Sequence, residues 1–328
     1  MKKTILISLL CMLCGSAMFG ATAQRTILSH KGKLTQYDAN HWVEAISDAV
    51  AGDTVYFTSG AFGGGTVNDN LVIDKPITLI GAGVAESEAF FRENVSLYEG
   101  CATAEASSIL ETNITIAIPG SLTLTSTLME GFHIPSRYGF EPSVTVTEPV
   151  TGLTIKRCQF SNSFGASAMV KNLVLEGCFV NWLSVANMEA PDIHNCVISN
   201  LYSNLEGVEY TNCSLSGMDG VANSTFVNCI IRTLPDYCTF VNCMYLSWTG
   251  FPSHITATGC WAVESVYLTK SQLEEGGYMG TDDTVVGPLG GQAPFMLVPS
   301  RPYVSSSSIV YNKTTKKLNV NVTVKKGQ

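Results

Sequence analysis

Between about residue 150 and residue 265, short runs of alternating apolar and polar positions restart at each of seven cysteines: Cys158, Cys178, Cys196, Cys213, Cys229, Cys243 and Cys260. Three positions before each cysteine stand Ile155, Leu175, Ile193, Tyr210, Phe226, Phe240 and Ala257, and five before stand Leu153, Leu173, Pro191, Val208, Ser224, Cys238 and Ile255. Two positions after come Phe160, Val180, Ile198, Leu215, Ile231, Tyr245 and Ala262. The apolar period is therefore two on each side of a break, which is the pattern of short strands meeting at a corner. A further apolar column, five after the cysteine, holds Leu183, Leu201, Met218, Leu234 and Trp248. Each unit thus supplies three inward-facing segments. The cysteines recur at intervals of 20, 18, 17, 16, 14 and 17 residues, so one small unit is repeated with loops of varying length.

The residue directly before each cysteine fixes the nature of the break. It is Arg157, Gly177, Asn195, Asn212, Asn228, Asn242 and Gly259, mostly the two types that accept positive φ. A left-handed corner between two strands is expected there. Stacked units would pair each strand in parallel with its copy one coil away, roughly 4.8 Å along the axis. With its Asn-Cys-x-apolar repeats, the stretch from about 151 to 265 resembles the pectate lyase-like right-handed parallel β-helix family. The resemblance implies an all-β solenoid and a stack of corner asparagine side chains between the second and third sheets. It implies no single activity, because the fold serves lyases, hydrolases, adhesins and proteins without a known reaction.

The flanks fit such a solenoid. Asn40 is placed to cap a helix carrying Trp42, Ala45, Ile46, Ala49 and Val50 on one face, suited to close the open first coil. Before it, residues 24–37 look like an extended lead-in strand. Asp53-Thr-Val-Tyr-Phe57 and Ile73-Asp-Lys-Pro-Ile-Thr-Leu-Ile-Gly-Ala-Gly83 are similar to the opening coils of secreted β-helix proteins. Residues 84–107, which include Cys101, read as a loop leaving the stack. Strands are expected again at 109–118, 122–128 and 144–146. Past Ser265 the repeat fades into glycine-rich turns, followed by strands at 309–311 and 318–324. The expected organisation is a leader at 1–23, a strand and capping helix at 24–62, the solenoid at 63–275 and a C-terminal cap at 276–328. This last part is similar to the ends of exported Bacteroidetes-type β-helix proteins.

Residues 1–23 have the form of a secretory signal: Lys2 and Lys3, an apolar run from Ile5 to Leu13, and Ala21-Thr-Ala23 as a cleavage site. Neither Cys11 nor Cys14 follows Gly, Ala or Ser directly, which argues against a lipid anchor. No later stretch is apolar for long enough to span a bilayer. Export to the periplasm, cell surface or medium is the expectation.

Loss of the leader moves the formal charge from −8 to −10, with 17 basic and 27 acidic residues left. A nucleic acid is a poor partner for such a chain. Charged residues make up only 14% of the sequence, as expected if side chains stack in ladders where like charges one coil apart repel. Nine of the 11 cysteines remain after cleavage, which in an exported protein would suggest disulfides. The column argues otherwise, since neighbouring side chains run parallel instead of converging, and the cysteines are expected to be reduced and buried.

Candidate chemistry lies on the outward positions. Before the corner, Asp192 falls beside Glu209, and His194 falls between Glu176 and Thr211. This acidic patch has the types for proton transfer or a cation, while the alternation of Lys156, Glu176 and His194 equally describes a solvated ladder. After the corner, Trp182, Ser184, Asn200, Tyr202, Asp219, Thr233 and Ser247 face outward, and rings with amides and hydroxyls suit a sugar. Trp182 and Tyr202 are expected roughly 5 to 7 Å apart on adjacent coils. A glycosidase needs two acids, and a calcium-assisted lyase needs several oxygen ligands and a base; this face offers one carboxylate. His41, His133 and His254 stand alone, and Gly280-Thr-Asp-Asp-Thr284 is explained by an Asx-turn without a cation. The expectation is a glycan- or surface-binding solenoid that uses no cofactor or metal. The alternative is a lyase or hydrolase of an acidic polysaccharide whose acids come from loops 84–107 or 266–292. Oligomeric state is not written in these patterns.

Overall fold

The computed structural model describes residues 24–38, 40–63, 70–85, 107–120, 122–136, 141–203, 205–247, 254–298, 303–312 and 317–325. The leader, Cys101 with most of the 84–107 loop, and Trp248 lie outside the described residues. The chain is a right-handed parallel β-helix. A 12-stranded sheet carries Thr154–Lys156, Val174–Glu176, Asp192–His194, Glu209–Thr211, Thr225–Val227, Thr239–Val241 and Thr256–Thr258 in consecutive coils. A 13-stranded sheet carries the strands after the corner: Gln159–Ala166, Phe179–Ser184, Val197–Tyr202, Ser214–Asp219, Ile230–Ile231, Met244–Leu246 and Trp261–Val263. A third sheet of three short strands, Val150–Thr151, Val170–Lys171 and Met188–Glu189, completes the coil.

All seven residues before the ladder cysteines have positive φ, from 48° at Asn242 to 65° at Gly259. The corner is left-handed at every coil. A second left-handed corner stands five residues earlier, at Gly152, Asn172, Ala190, Gly207, Asn223 and Tyr237. Ala190 and Tyr237 gain nothing from that conformation, so they hide a column that the other four residues announce.

The inward columns form one continuous core. Ile155, Leu175, Ile193, Tyr210, Phe226 and Phe240 are buried, and the last three rings stack face to face at 5.1 Å per step. Each such pair adds about 0.5–1.5 kcal/mol beyond the area it buries. The cysteine column lies inside as well. Its thiols donate to backbone carbonyls of their own and the preceding coil, as from Cys229 Sγ to the carbonyls of Val227 and Tyr210, both at 3.3 Å. Backbone N–H groups point at the next sulfur, from Cys213 to Cys229 and from Cys229 to Cys243, at 3.4 Å. Burial pushes the thiols of Cys158, Cys196 and Cys229 well above their ordinary range. Cys260 is the exception among the seven, because it sits in the last coil and is half-exposed. Thiol labelling without denaturant, mapped by peptide mass, should therefore modify Cys260 promptly and leave the other six intact. Prompt labelling of Cys196 or Cys213 would contradict the column.

At the N-terminus, residues 25–38 form a hairpin, Arg25–His30 against Lys33–Asp38, where a single lead-in strand is expected from sequence. Lys31 and Gly32, both at positive φ, turn the chain back. The helix Trp42–Asp48 follows and buries Trp42, Ala45 and Ile46, with Trp42 edge-on to Phe57 and Phe62. Asn40 does not cap it. Asp38 does the local work instead, accepting from the Asn40 N–H at 3.1 Å and bonding the His41 ring at 2.6 Å. Val50 is exposed because the chain leaves helical geometry at Ala49. The helix ends on Lys75, whose ammonium donates to the carbonyls of Ile46, Ser47 and Ala49. Parallel pairing already begins at Thr54–Phe57, so the first coil opens before residue 63. Residues 122–128 contribute only an isolated bridge from Thr123 to Thr151 in place of a strand.

The tail departs most from expectation. Residues 276–298 form no lid over the last coil; they run back along the corners toward earlier coils. Asn228 bonds Thr281 and Gly287, Asn212 bonds Asp282, and Asn195 donates to the carbonyls of Pro288 and Gly290. Further back, Arg157 reaches the Val298 carbonyl at 3.4 Å, and the Val84 N–H donates to Leu297. The corner amides thus hold this strap in place of stacking on one another. Beneath it lies a second apolar cluster in which Phe179, Val197, Ile230, Met244 and Leu246 meet Val285, Val286, Leu289, Phe295 and Leu297. Gly290 is required there, since a Cβ would collide with the carbonyl of Val285. The last described strands, Tyr303–Asn312 and Lys317–Lys325, form an antiparallel hairpin on their own.

Candidate functional site

The acidic positions before the corner fall in the expected register: Lys156 opposite Glu176, Glu176 opposite His194, and His194 opposite Thr211. Their chemistry is that of a salt-bridge network. Glu176 is paired with Lys156 and lies 3.9 Å from the Arg157 guanidinium, which also lies 3.5 Å from the buried Glu130. His194 is half-buried against Asn195, and the Glu209 carboxylate accepts from Thr211 at 3.5 Å. Asp192 and Glu209 are exposed. Among the described residues no group of three or more His, Cys, Asp or Glu is arranged to hold a metal.

The isolated signals also acquire partners. His133 is buried with its Nε2 3.1 Å from Ser161, His254 stacks on Tyr237 at 4.8 Å, and His41 is raised by its hydrogen bond to Asp38. In the 280–284 turn, one Asp282 oxygen accepts from the Thr284 N–H and hydroxyl, and the other accepts from Asn212. Partial burial pushes this carboxyl up, but those hydrogen bonds carry it below its ordinary value. Both oxygens are committed to holding the strap, so the turn is structural.

After the corner, the 13-stranded sheet divides lengthwise. The position directly after each of the first six cysteines, occupied by Gln159, Phe179, Val197, Ser214, Ile230 and Met244, is buried, with the apolar members under the strap. This column escapes a reading by alternation, which assigns it to solvent. A run of apolar residues at a nominally outward position is the signal that marks it.

The other half of the sheet is open. Trp182 is 48% and Tyr202 38% exposed, the two large rings standing free on this strip. Register corrects their relation. Trp182 lies opposite Ser163 and Asn200, whereas Tyr202 lies opposite Ser184 and Asp219. The rings are diagonal neighbours, about 8 Å apart by strand geometry, wider than the spacing expected from sequence. Asn200 has its amide N–H donating to the Asn181 carbonyl at 3.2 Å, which leaves chiefly its oxygen for a ligand. Asp219 is exposed, and a second exposed carboxylate, Glu264, stands four after Cys260 in the same two columns, three coils further on. The strip therefore presents two tilted aromatic faces, one amide, the Asp219 carboxylate and the Ser184 hydroxyl on a rigid sheet. Such a set can stack on apolar ring faces and bond hydroxyls, while Asp219 and Glu264, three coils and roughly 14 Å apart, are too widely spaced for the carboxyl pair of a glycosidase. No helix among the described residues is long and apolar enough to cross a membrane. Comparison with protein-family models, with curated proteins and with solved structures finds no match.

Proposed function

We propose that this is an exported, non-enzymatic solenoid that binds a glycan chain along the open strip of its 13-stranded sheet. The observation that carries the reading is the exposure of Trp182 and Tyr202 on adjacent coils, beside Asn200, Ser184 and Asp219. Exposed rings on a rigid sheet present an apolar platform that costs little side-chain ordering on binding. The diagonal offset sets the path. A chain stacked on both rings crosses the strands obliquely, with the Asp219 carboxylate and the Asn200 oxygen placed to accept from its hydroxyls. The carboxylates of Asp219 and Glu264 and the net negative charge favour a neutral glycan over a polyanionic one.

The test is a binding screen against neutral and acidic polysaccharides, with product release followed in the same samples. Trp182→Ala and Tyr202→Ala should each weaken binding of a neutral polymer by about 1 to 3 kcal/mol, the value of one buried aromatic contact. Binding that survives both substitutions would reject the strip. Cleavage of an acidic polymer would replace this reading with a lyase or hydrolase.

A further inference from the structure

The last coil is left open. Thr256–Thr258 ends the 12-stranded sheet with nothing paired beyond it among the described residues, and all three of its residues are exposed. Ala257 and Ala262 occupy columns that are buried in the preceding coils, yet both are exposed here. Solenoids need their terminal unit covered, and an uncovered sheet edge is a template for another strand. At the other end, the hairpin and the helix Trp42–Asp48 supply that cover.

Among the described residues the chain's own tail does not supply it here. Val298 docks at Arg157, and Arg157 and Thr258 are separated by six steps of the stack, roughly 29 Å at 4.8 Å per step. From Val298 to Tyr303 the backbone can span at most about 18 Å. The final hairpin starts short of the last coil, and among the described residues its two strands pair with each other and with no other strand.

We infer that the open end is covered by a second copy of this chain, joined end to end through Thr256–Thr258 about a twofold axis. The hydrogen-bonding pattern centres that axis on Ala257. The Thr256 N–H donates to Cys238 at 3.1 Å, and the Thr258 carbonyl accepts from Asn242 at 2.8 Å, so both flanking residues are turned to the preceding coil. Strand alternation turns the N–H and C=O of Ala257 to the open side. Two copies of Ala257 facing each other antiparallel can then exchange both bonds, the closely bonded pair of an antiparallel ladder. Charge points the same way. About a twofold axis the same charges are brought near one another, and Thr256-Ala-Thr-Gly-Cys-Trp-Ala-Val263 contains none. An edge kept from pairing would be expected to carry Lys or Pro, and this one has neither.

Sedimentation velocity on the full chain tests this across roughly 1 to 100 µM, where a small interface forms and falls apart. The expected result is a reversible monomer–dimer equilibrium. Thr256 and Thr258 occupy outward positions, so Thr256→Lys and Thr258→Lys place like charges across the axis without entering the core. Each should weaken the dimer at least about tenfold, with circular dichroism and thermal midpoint unchanged. Thr256→Val should remain dimeric. A monomer at every concentration, growth beyond the dimer, or a dimer indifferent to both lysines would overturn the inference. Glycan binding on the Trp182 strip is read separately and does not depend on the outcome.

Discussion

Replacing Asn228 with valine should destabilise the protein by about 2 to 6 kcal/mol, measured as a shift of the urea midpoint at unchanged slope. Two independent costs combine. The residue sits at φ 54°, where a β-branched side chain is strained by on the order of 1 to 3 kcal/mol. Its amide also accepts from the Thr281 N–H at 2.9 Å and donates to the Thr281 hydroxyl at 3.2 Å. Loss of that amide leaves a backbone donor without its acceptor, worth about 1 to 3 kcal/mol more. Asn228→Gly separates the two, since glycine keeps the corner and loses only the strap. A glycine variant as unstable as the valine variant would mean that the backbone conformation contributes nothing. Wild-type stability in both would remove the corner and the strap together from the account of stability.

The second large effect is expected at Arg157. Its guanidinium is buried between Glu130 and Glu176 and also donates to the Val298 carbonyl. Arg157→Met keeps much of the volume and removes the cation 3.5 Å from Glu130, which is 3% exposed. Breaking a buried pair from one side costs about 3–5 kcal/mol, more than the net value of the intact pair. Adding Glu130→Gln to the methionine variant should recover part of the loss, because a neutral amide is cheaper to bury than a carboxylate whose neighbouring cation is gone. Equal stability of the single and double variants would show that Glu130 is not the group left exposed to the penalty.

How far the sequence discloses this molecule depends on whether a contact repeats. Parallel stacking makes each coil bury the same positions as its neighbour, so the columns through Tyr210, Phe226 and Phe240 and the corner through Asn212 and Asn228 are legible without coordinates. The strap is not, because its partners lie from 53 residues away, at Asn228 and Thr281, to 213, at Val84 and Leu297, and occur once each. Its only trace is the apolar run Phe179, Val197, Ile230 and Met244 on a nominally outward column. The open strip is legible as a set of residues, and so is its diagonal geometry: Trp182 stands four after its cysteine and Tyr202 six after its own. The end of the stack misleads for a physical reason. Ala257 and Ala262 fit the inward columns, but among the described residues no later coil covers them.

The long reach of the strap sets an order on folding. Coils that touch only their neighbours can zip up as soon as each is available, from the N-terminal helix onward. The bond from Arg157 to Val298 closes across 141 residues and must wait for the end of the chain. Until then Phe179, Val197, Ile230 and Met244 lie uncovered along one flank, a sticky seam on an otherwise finished cylinder. A chain crossing a membrane from its N-terminus would carry that seam through most of its passage. Once the strap is seated, the coils between Cys158 and Cys229 can no longer peel away singly. A stack that assembles one rung at a time thereby becomes a structure that must come apart all at once, with slow unfolding as its outward sign.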